Sequence, residues 1–284
     1  MKNKIGFIGL GLMGDPICRH IQNAKFSLSV WNRTLSKCQP FRDSGAFIAN
    51  NSHELAEKSD IIIMCVTDES AVERILFSFD GLLAADNKPI VIDHSTISPI
   101  KAKEFSEKAK KNGVVYIDAP LTGSVPGAIA GTLLAFLGGD QMAVCNVEHV
   151  LKTYTNKISY MGESGMGQIT KMCNQIMLHN TIISTFETIA FARKQGLDPL
   201  KLFDALENSL IDSNAWRIFG LATFNNGEKL AHIKDMMKDM NYVKFLAAET
   251  GSSLYLTTAT INLMEIAIDK GMGTNDVSDL IKLY

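Results

Sequence analysis

Residues 4–14 read Lys-Ile-Gly-Phe-Ile-Gly-Leu-Gly-Leu-Met-Gly. An apolar run ending at Ile8 is followed at once by Gly9, Gly11 and Gly14, and an apolar-periodic segment carrying Ile17 and Ile21 comes next. This is G-x-G-x-x-G set between a strand and a helix, the context in which the pattern has physical meaning. Gly9 permits a tight turn that a side chain blocks. Gly11 lets a pyrophosphate approach the backbone, and Gly14 lets the new helix lie against the strand. The N–H groups along Gly11, Leu12, Met13 and Gly14 then face phosphate at a helix start. Glycines also cluster in ordinary turns. The strand before and the helix after make dinucleotide binding the stronger interpretation.

The chain has 284 residues, of which 46% are hydrophobic, enough to bury a large core in one or two domains. Its formal net charge is -2 and the charges are interspersed, so neither a basic stripe for nucleic acid nor an acidic disordered tail is present. Five cysteines, an odd number without C-x-x-C, argue for reduced thiols rather than a disulfide framework. The start, Met-Lys-Asn-Lys, runs directly into the first strand and lacks a signal-peptide cleavage pattern. No apolar run is long enough for a bilayer, and the histidines show no metal-ligand spacing. The expectation is a soluble cytoplasmic protein with no nucleic-acid, membrane or metal partner.

Strand and helix signals alternate after the glycine stretch. A second strand over 27–31 ends at Asn32-Arg33-Thr34. In a doubly wound sheet this position lies beside the adenosine ribose, where an acidic residue bonds the 2′-hydroxyl of NAD. A neutral Asn32 followed by Arg33, with the Thr34 hydroxyl next, instead favours a 2′-phosphate, hence NADP(H) over NAD(H). Buried parallel strands are expected over 61–66, 89–93 and 114–118, with further strands over 46–48, 132–137 and 158–160. Helices are expected over 35–44, 53–58 (capped by Ser52), 69–77 and 99–111. Near Gly162 the strand signals stop. A long, largely buried helix is expected over 166–195, then helices over 200–209, 214–223, 233–251, 254–270 and 276–283. The fold class is therefore α/β: a Rossmann-like doubly wound domain over 1–162 and an all-helical domain over 163–284 led by one long helix. Substrates of such two-domain enzymes commonly bind in the cleft between domains.

Three stretches carry candidate chemistry. Residues 118–128, Asp-Ala-Pro-Leu-Thr-Gly-Ser-Val-Pro-Gly-Ala, follow a strand C-terminus, and their hydroxyls and backbone N–H groups suit a carboxylate. Lys171 and Asn174 share one face of the long helix; an ammonium there can protonate the oxygen formed when hydride reaches a carbonyl. A lysine reaching solvent is the ordinary alternative. Residues 234–239, Lys-Asp-Met-Met-Lys-Asp, look by default like a solvated helix face with i,i+4 pairs. Asp68, His94 and His179 read as structural or capping groups.

Taken together, the motifs resemble the β-hydroxyacid dehydrogenase family, which shares the architecture of 6-phosphogluconate dehydrogenase. The resemblance spans nearly the whole chain: Gly-Phe-Ile-Gly-Leu-Gly-Leu-Met-Gly at 6–14, Asp-His-Ser-Thr-Ile-Ser-Pro at 93–99, residues 118–132, Gly-Met-Gly-Gln-Ile-Thr-Lys-Met-Cys-Asn-Gln at 165–175, and Lys-Asp-Met at 238–240. Residues 31–38 look most like the NADPH-dependent glyoxylate/succinic semialdehyde reductases of plants. The resemblance implies that Lys171 is the general acid/base, and that Thr122, Gly123, Ser124 and Asn174 hold a substrate carboxylate. It also implies that Val66 and Thr96 line the cofactor and that Lys238 and Asp239 close over it. A homodimer or homotetramer is implied as well. Within this family 3-hydroxyisobutyrate dehydrogenase, working in the oxidative direction, is the alternative activity, and a cofactor-binding sensor without turnover is the alternative of another class. An imine reductase generally lacks the catalytic lysine that Lys171 supplies here.

The sequence departs from the family pattern in three places. Thr122 stands where Ser is usual, and its extra methyl narrows the pocket. An aromatic residue often precedes the Lys-Asp motif, whereas this chain has Lys229-Leu230-Ala231-His232. Asp15 puts negative charge beside the last fingerprint glycine. His232 and Trp216 are candidates for the substrate wall, although a tryptophan in a helical domain is more often core.

Overall fold

The computed structural model describes residues 3–224 and 230–284. The chain divides into two compact units, Met1–Lys171 and Met172–Tyr284.

Among the described residues the first unit is built on nine strands: β1 (Lys4–Ile8), β2 (Ser27–Trp31), β3 (Phe47–Ile48), β4 (Ile61–Met64), β5 (Ile90–Asp93), β6 (Val115–Asp118), β7 (Leu121–Thr122), β8 (Leu133–Gly138) and β9 (Thr155–Gly162). Their order is β3-β2-β1-β4-β5-β6-β8-β7, with β9 on β8. The first six run parallel, and β8 meets β6 and β7 antiparallel. Helices α1 (Gly14–Asn23), α2 (Gln39–Asp43), α3 (Ser52–Glu57), α4 (Glu69–Phe77), α5 (Pro99–Lys111), α6 (Ser124–Ala130) and α7 (Gln141–Leu151) connect them.

Strand composition explains why the sheet is covered on both faces. In β4 all four residues are buried; Ile61 and Ile63 enter one core, and Ile62 and Met64 enter the other. Period-two alternation with apolar residues in both phases leaves no face for water. The chain leaves β1 towards β2 and β3, then returns to place β4 on the other side of β1. The C-terminal ends of β1 and β4 are thus a topological switch point, where such sheets open a crevice.

The glycine turn fits that edge closely. A Cβ on Gly9 would lie 2.2 Å from the Cys65 carbonyl oxygen, and Gly9 has φ +96°. A Cβ on Gly14 would lie 1.8 Å from the Gly9 carbonyl oxygen, whereas one on Gly11 meets nothing within 4 Å.

The second unit continues the long helix α8 (Met166–Lys194) with α9 (Pro199–Leu206), α10 (Asn214–Ala222), α11 (Ile233–Thr250) and α12 (Tyr255–Asp269). Met172, Ile182, Phe186, Met240 and Met264 lie in its core. Asn180 ties α8 to α12, donating to Thr257 Oγ1 at 3.1 Å and accepting from Thr260 Oγ1 at 2.7 Å.

Several local expectations change. Asn51, not Ser52, caps α3, accepting from Glu54 N at 2.8 Å, while Ser52 Oγ turns inward to the carbonyls of Ile75 and Asp80. Both are good capping residues, and the chain uses the one that leaves the other free to bond the interior. The segment over 276–283 forms a 3-10 helix, Val277–Leu283. Its cap Asp276 accepts from Ser278 N at 3.0 Å and also from Leu230 N at 2.6 Å, so the short end is tied by its cap rather than extended. The elements β7, α6 and α7 carried no distinct signal among small or mixed residues.

Gly14→Ala places a Cβ against backbone that cannot yield, so it should lower unfolding free energy by about 1–3 kcal/mol or more in urea titration. Gly11→Ala should stay within about 0.5 kcal/mol of wild type. Equal losses in the two variants would contradict this account of the turn.

Candidate active site

The parallel strands deliver most of the candidates to one edge. Gly9, Gly11, Leu12, Met13 and Gly14 follow β1, Asn32, Arg33 and Thr34 follow β2, Val66 follows β4, Thr96 follows β5, and Thr122, Gly123 and Ser124 follow β6.

At the first of these turns Met13 occupies the cap position of α1 and makes no side-chain cap bond. An uncapped helix start below an open Gly11 is the shape a pyrophosphate fills. The residues present therefore fit a dinucleotide. Asp15, which brought negative charge to this place, is paired with Arg19 at 2.7 Å. Asn32 is used structurally: its Oδ1 accepts from Leu10 N at 2.9 Å and its Nδ2 donates to Thr34 O at 2.9 Å. That amide fixes the glycine turn to the end of β2 and contributes no charge. Arg33 and Thr34 are exposed beside it. Val66 N donates to Ser95 Oγ at 3.0 Å, joining the ends of β4 and β5.

A buried polar frame lies under the next two turns. Tyr116 donates to Asp93 Oδ2 at 2.7 Å, and Asp93 Oδ1 accepts from Ser95 N at 2.9 Å. His94 donates from Nδ1 to Ala119 O at 2.6 Å and accepts at Nε2 from Tyr154 at 2.8 Å. Each partner is satisfied by the neutral ring. Burial holds the His94 pKa down at about 4, the Ala119 bond opposing it. Asp118 is fully buried; its Oδ1 accepts from Gly165 N at 2.8 Å and its Oδ2 from Gln168 N at 3.0 Å. Burial raises its pKa to about 6, against these N–H bonds. Gln168, also fully buried, donates to Ser95 O at 2.8 Å and accepts from Ile97 N at 3.3 Å, bracketing Thr96.

Lys171 follows one turn later on α8. It is only 8% exposed, and its ammonium donates to Leu121 O at 2.9 Å, immediately before Thr122. It is not a surface lysine reaching for solvent. The adjoining turn is unusual: Gly123 has φ +125° and Ser124 has φ +56°, a left-handed conformation that a serine seldom takes. Such strained residues cluster at functional sites.

In the second unit the structure joins Asn174 with the late motif. Asn174 Nδ2 donates to Gln175 Oε1 at 3.0 Å, and Gln175 Nε2 donates to Asp239 Oδ2 at 2.6 Å. Lys238 lies 3.3 Å from Asp239 Oδ1 and 5.7 Å from the Tyr242 ring centroid. The segment over 234–239 is solvated only in part: Lys234 and Asp235 are exposed. Met236 and Met237 are buried, and Lys238 pairs with its neighbour Asp239. Trp216 is buried against Phe203, with ring centroids 4.5 Å apart. His232 Nδ1 donates to Thr274 O at 2.8 Å. Lys229, named with that wall, lies outside the described residues.

Residues 4–162 match the family described as the NAD binding domain of 6-phosphogluconate dehydrogenase, and residues 165–284 match the NAD-binding family of NADP-dependent 3-hydroxyisobutyrate dehydrogenase. The chain belongs to the β-hydroxyacid dehydrogenase family. It is an NAD(P)-dependent hydroxyacid dehydrogenase. The probable 3-hydroxyisobutyrate dehydrogenase-like 2, mitochondrial, of Arabidopsis thaliana is 32% identical, covering 99% of this chain and 94% of its own. The 2-hydroxy-3-oxopropionate reductase of Escherichia coli (strain K12) is 34% identical over 86% of this chain and 85% of its own. Among solved structures, 3-hydroxyisobutyrate dehydrogenase of Mycobacterium tuberculosis with L-serine superposes with a TM-score of 0.87. Its identity to this chain is 27%, and the match covers 100% of this chain and 99% of that one. Among the described residues no helix is long and apolar enough to cross a membrane, and no cluster of side chains could hold a metal ion.

The sequence assigns no individual role to four residues that the structure engages: Asp118, Gln168, Gln175 and Asp276. A signal existed for two. Gln168, Lys171 and Gln175 are spaced by three and four residues on an otherwise apolar helix, which puts three polar groups on one buried face.

The pH behaviour of His94 tests the frame. Between its unfolded pKa of 6.5 and its folded value of about 4, the unfolded chain takes a proton that the folded ring refuses. Its contribution to stability is therefore full above 6.5 and is lost as pH falls towards 4. Asp118, with its raised pKa, works in the opposite sense over part of that range. Ring NMR shifts isolate His94: a midpoint near 4 with the proton on Nδ1 is expected, and a midpoint near 6.5 contradicts the buried neutral ring.

Proposed function

We propose that this protein reduces small carboxylate-bearing aldehydes or α-keto acids, such as glyoxylate or succinic semialdehyde, with NADPH. One observation carries this: a buried lysine ammonium held to Leu121 O, directly before the Thr122-Gly123-Ser124 turn. A buried ammonium beside hydroxyls and turn N–H groups suits an anionic substrate whose carbonyl oxygen must gain a proton.

In this account the cofactor, when bound, supplies hydride to the carbonyl carbon. Lys171 donates a proton to the oxygen that becomes the alcohol, and takes it back in the reverse direction. Thr122, Gly123, Ser124 and Asn174 hold the carboxylate. The Gln175 acceptor fixes which way the Asn174 amide faces, leaving its second N–H for substrate. Val66 and Thr96 line the cofactor, and Lys238 and Asp239 close over it. Residues 1–162 form the cofactor domain and 163–284 the substrate and oligomerisation domain of a homodimer or homotetramer. The five free thiols fit a cytoplasmic protein.

Arg33 supports the preference for NADP(H). It is exposed at the end of β2, with a neutral Asn32 in place of an acidic residue. The matched description of an NADP-dependent family agrees with it. The names of the Arabidopsis and Mycobacterium relatives favour a second reading, oxidation of 3-hydroxyisobutyrate. Lys171 and Asn174, both present, favour turnover over a cofactor sensor.

Steady-state rates with NADPH and NADH against glyoxylate and succinic semialdehyde, and with NADP⁺ and NAD⁺ against 3-hydroxyisobutyrate, test these choices. NADPH should exceed NADH in kcat/KM, and the aldehyde acids should be turned over fastest. A preference for NADH would overturn the role of Arg33. Lys171→Ala should stay folded and lose about 10²- to 10⁴-fold in kcat. A folded variant with near wild-type turnover would remove Lys171 from the mechanism.

A further inference from the structure

We infer that Asp118 is a positioning residue for catalysis: its buried carboxylate sets where α8 begins and thereby where the Lys171 ammonium stands. This rests on Lys171 being the proton donor.

The geometry is specific to that task. Asp118 ends β6, and both of its oxygens are used on the first turn of α8, through Gly165 N and Gln168 N. Two side chains are missing so that this contact can exist. A Cβ on Gly138 would lie 2.7 Å from Asp118 Oδ1. One on Gly167 would lie 2.5 Å from Phe136 O and 2.7 Å from Asp118 Oδ2. The helix start is thus pressed against the sheet end with no spare space, and a carboxylate meets the positive end of a helix of 29 residues.

The consequence reaches the ammonium by the shortest route available. From Asp118 the chain runs three residues to Leu121, whose carbonyl receives the Lys171 ammonium. From Gln168, held by the same carboxylate, α8 runs three residues to Lys171. The carboxylate therefore closes a small ring of chain with the lysine at its far side. Shifting the helix start by one residue would rotate Lys171 about 100° away from Leu121 O. A neutral carboxamide at position 118 accepts only one of the two N–H groups and turns its own NH₂ at the other. Asp118 itself makes no bond to Lys171, so it acts through backbone position and not as a counter-ion.

The test is a double-mutant cycle in kcat, with NADPH binding measured alongside. Asp118→Asn should lower kcat tenfold or more, with the NADPH dissociation constant within twofold of wild type. In the Lys171→Ala background the same change should alter kcat less than twofold, because the group it positions is gone. Asp118→Ser is the second variant, since a hydroxyl still accepts one N–H. It should behave the same way. If the two losses multiply, or if Asp118→Asn keeps kcat within twofold, the positioning role is wrong. If neither variant folds, Asp118 is a structural residue and the inference also fails. A Lys171→Ala protein with full turnover would instead sink the underlying mechanism, so the two failures are distinguishable.

Discussion

A carboxylate removed from water is stable only if polar partners replace the water. Asp118 meets that demand by taking the backbone N–H groups at the start of α8, which themselves lack partners within the helix. Two buried polar problems cancel each other at one point. The sheet end and the helix start are fixed together, and the residues that must work next to each other are placed from there. Gln168 reaches out to both sides of Thr96, and Lys171 reaches Leu121 O ahead of the strained Thr122–Ser124 turn. Burial raises the carboxyl pKa to about 6, and the two N–H bonds oppose that rise by favouring the charged form.

The same logic runs through the neighbouring turns. Backbone groups at strand ends have lost their ladder partners, and this chain supplies them from side chains with fixed orientation. Asn32 serves Leu10 N, Asp93 serves Ser95 N after β5, Ser95 Oγ serves Val66 N after β4, and His94 serves Ala119 O. What remains open is the uncapped start of α1, with Gly11 leaving room beside it. A site of this kind is preorganised: its donors are aimed before any ligand arrives. In the second unit a shorter chain of bonds, Asn174 to Gln175 to Asp239, does the same for one amide.

Much of this could be read from sequence because local chemistry dictated it. The glycine turn declared itself: Gly9 and Gly14 sit where any side chain collides with backbone, and no other residue satisfies that geometry. The buried strands declared themselves because both of their faces are apolar. The long helix did so because 29 residues hold no proline. Lys171 stood out as a charge among apolar neighbours. Asp118 did not, because its partners lie 47 and 50 residues away and nothing beside it announces a helix start. Likewise, Asp276 serves Leu230 from 46 residues away. Strand order places Asn32 on the cofactor side. Only three-dimensional structure shows its amide engaged with Leu10 and Thr34. Capping by Asn51 rather than Ser52 turned on what each side chain found in the interior.

Amide hydrogen exchange gives the most direct measure of the central claim. Amides in the first turn of a helix ordinarily exchange fast, because they have no intrahelical partner. Here the amides of Gly165 and Gln168 should instead be protected to nearly the same degree as those in the middle of β5, opening only with global unfolding. Fast exchange at these two amides, with the rest of α8 protected, would mean that the buried carboxylate does not hold the helix start.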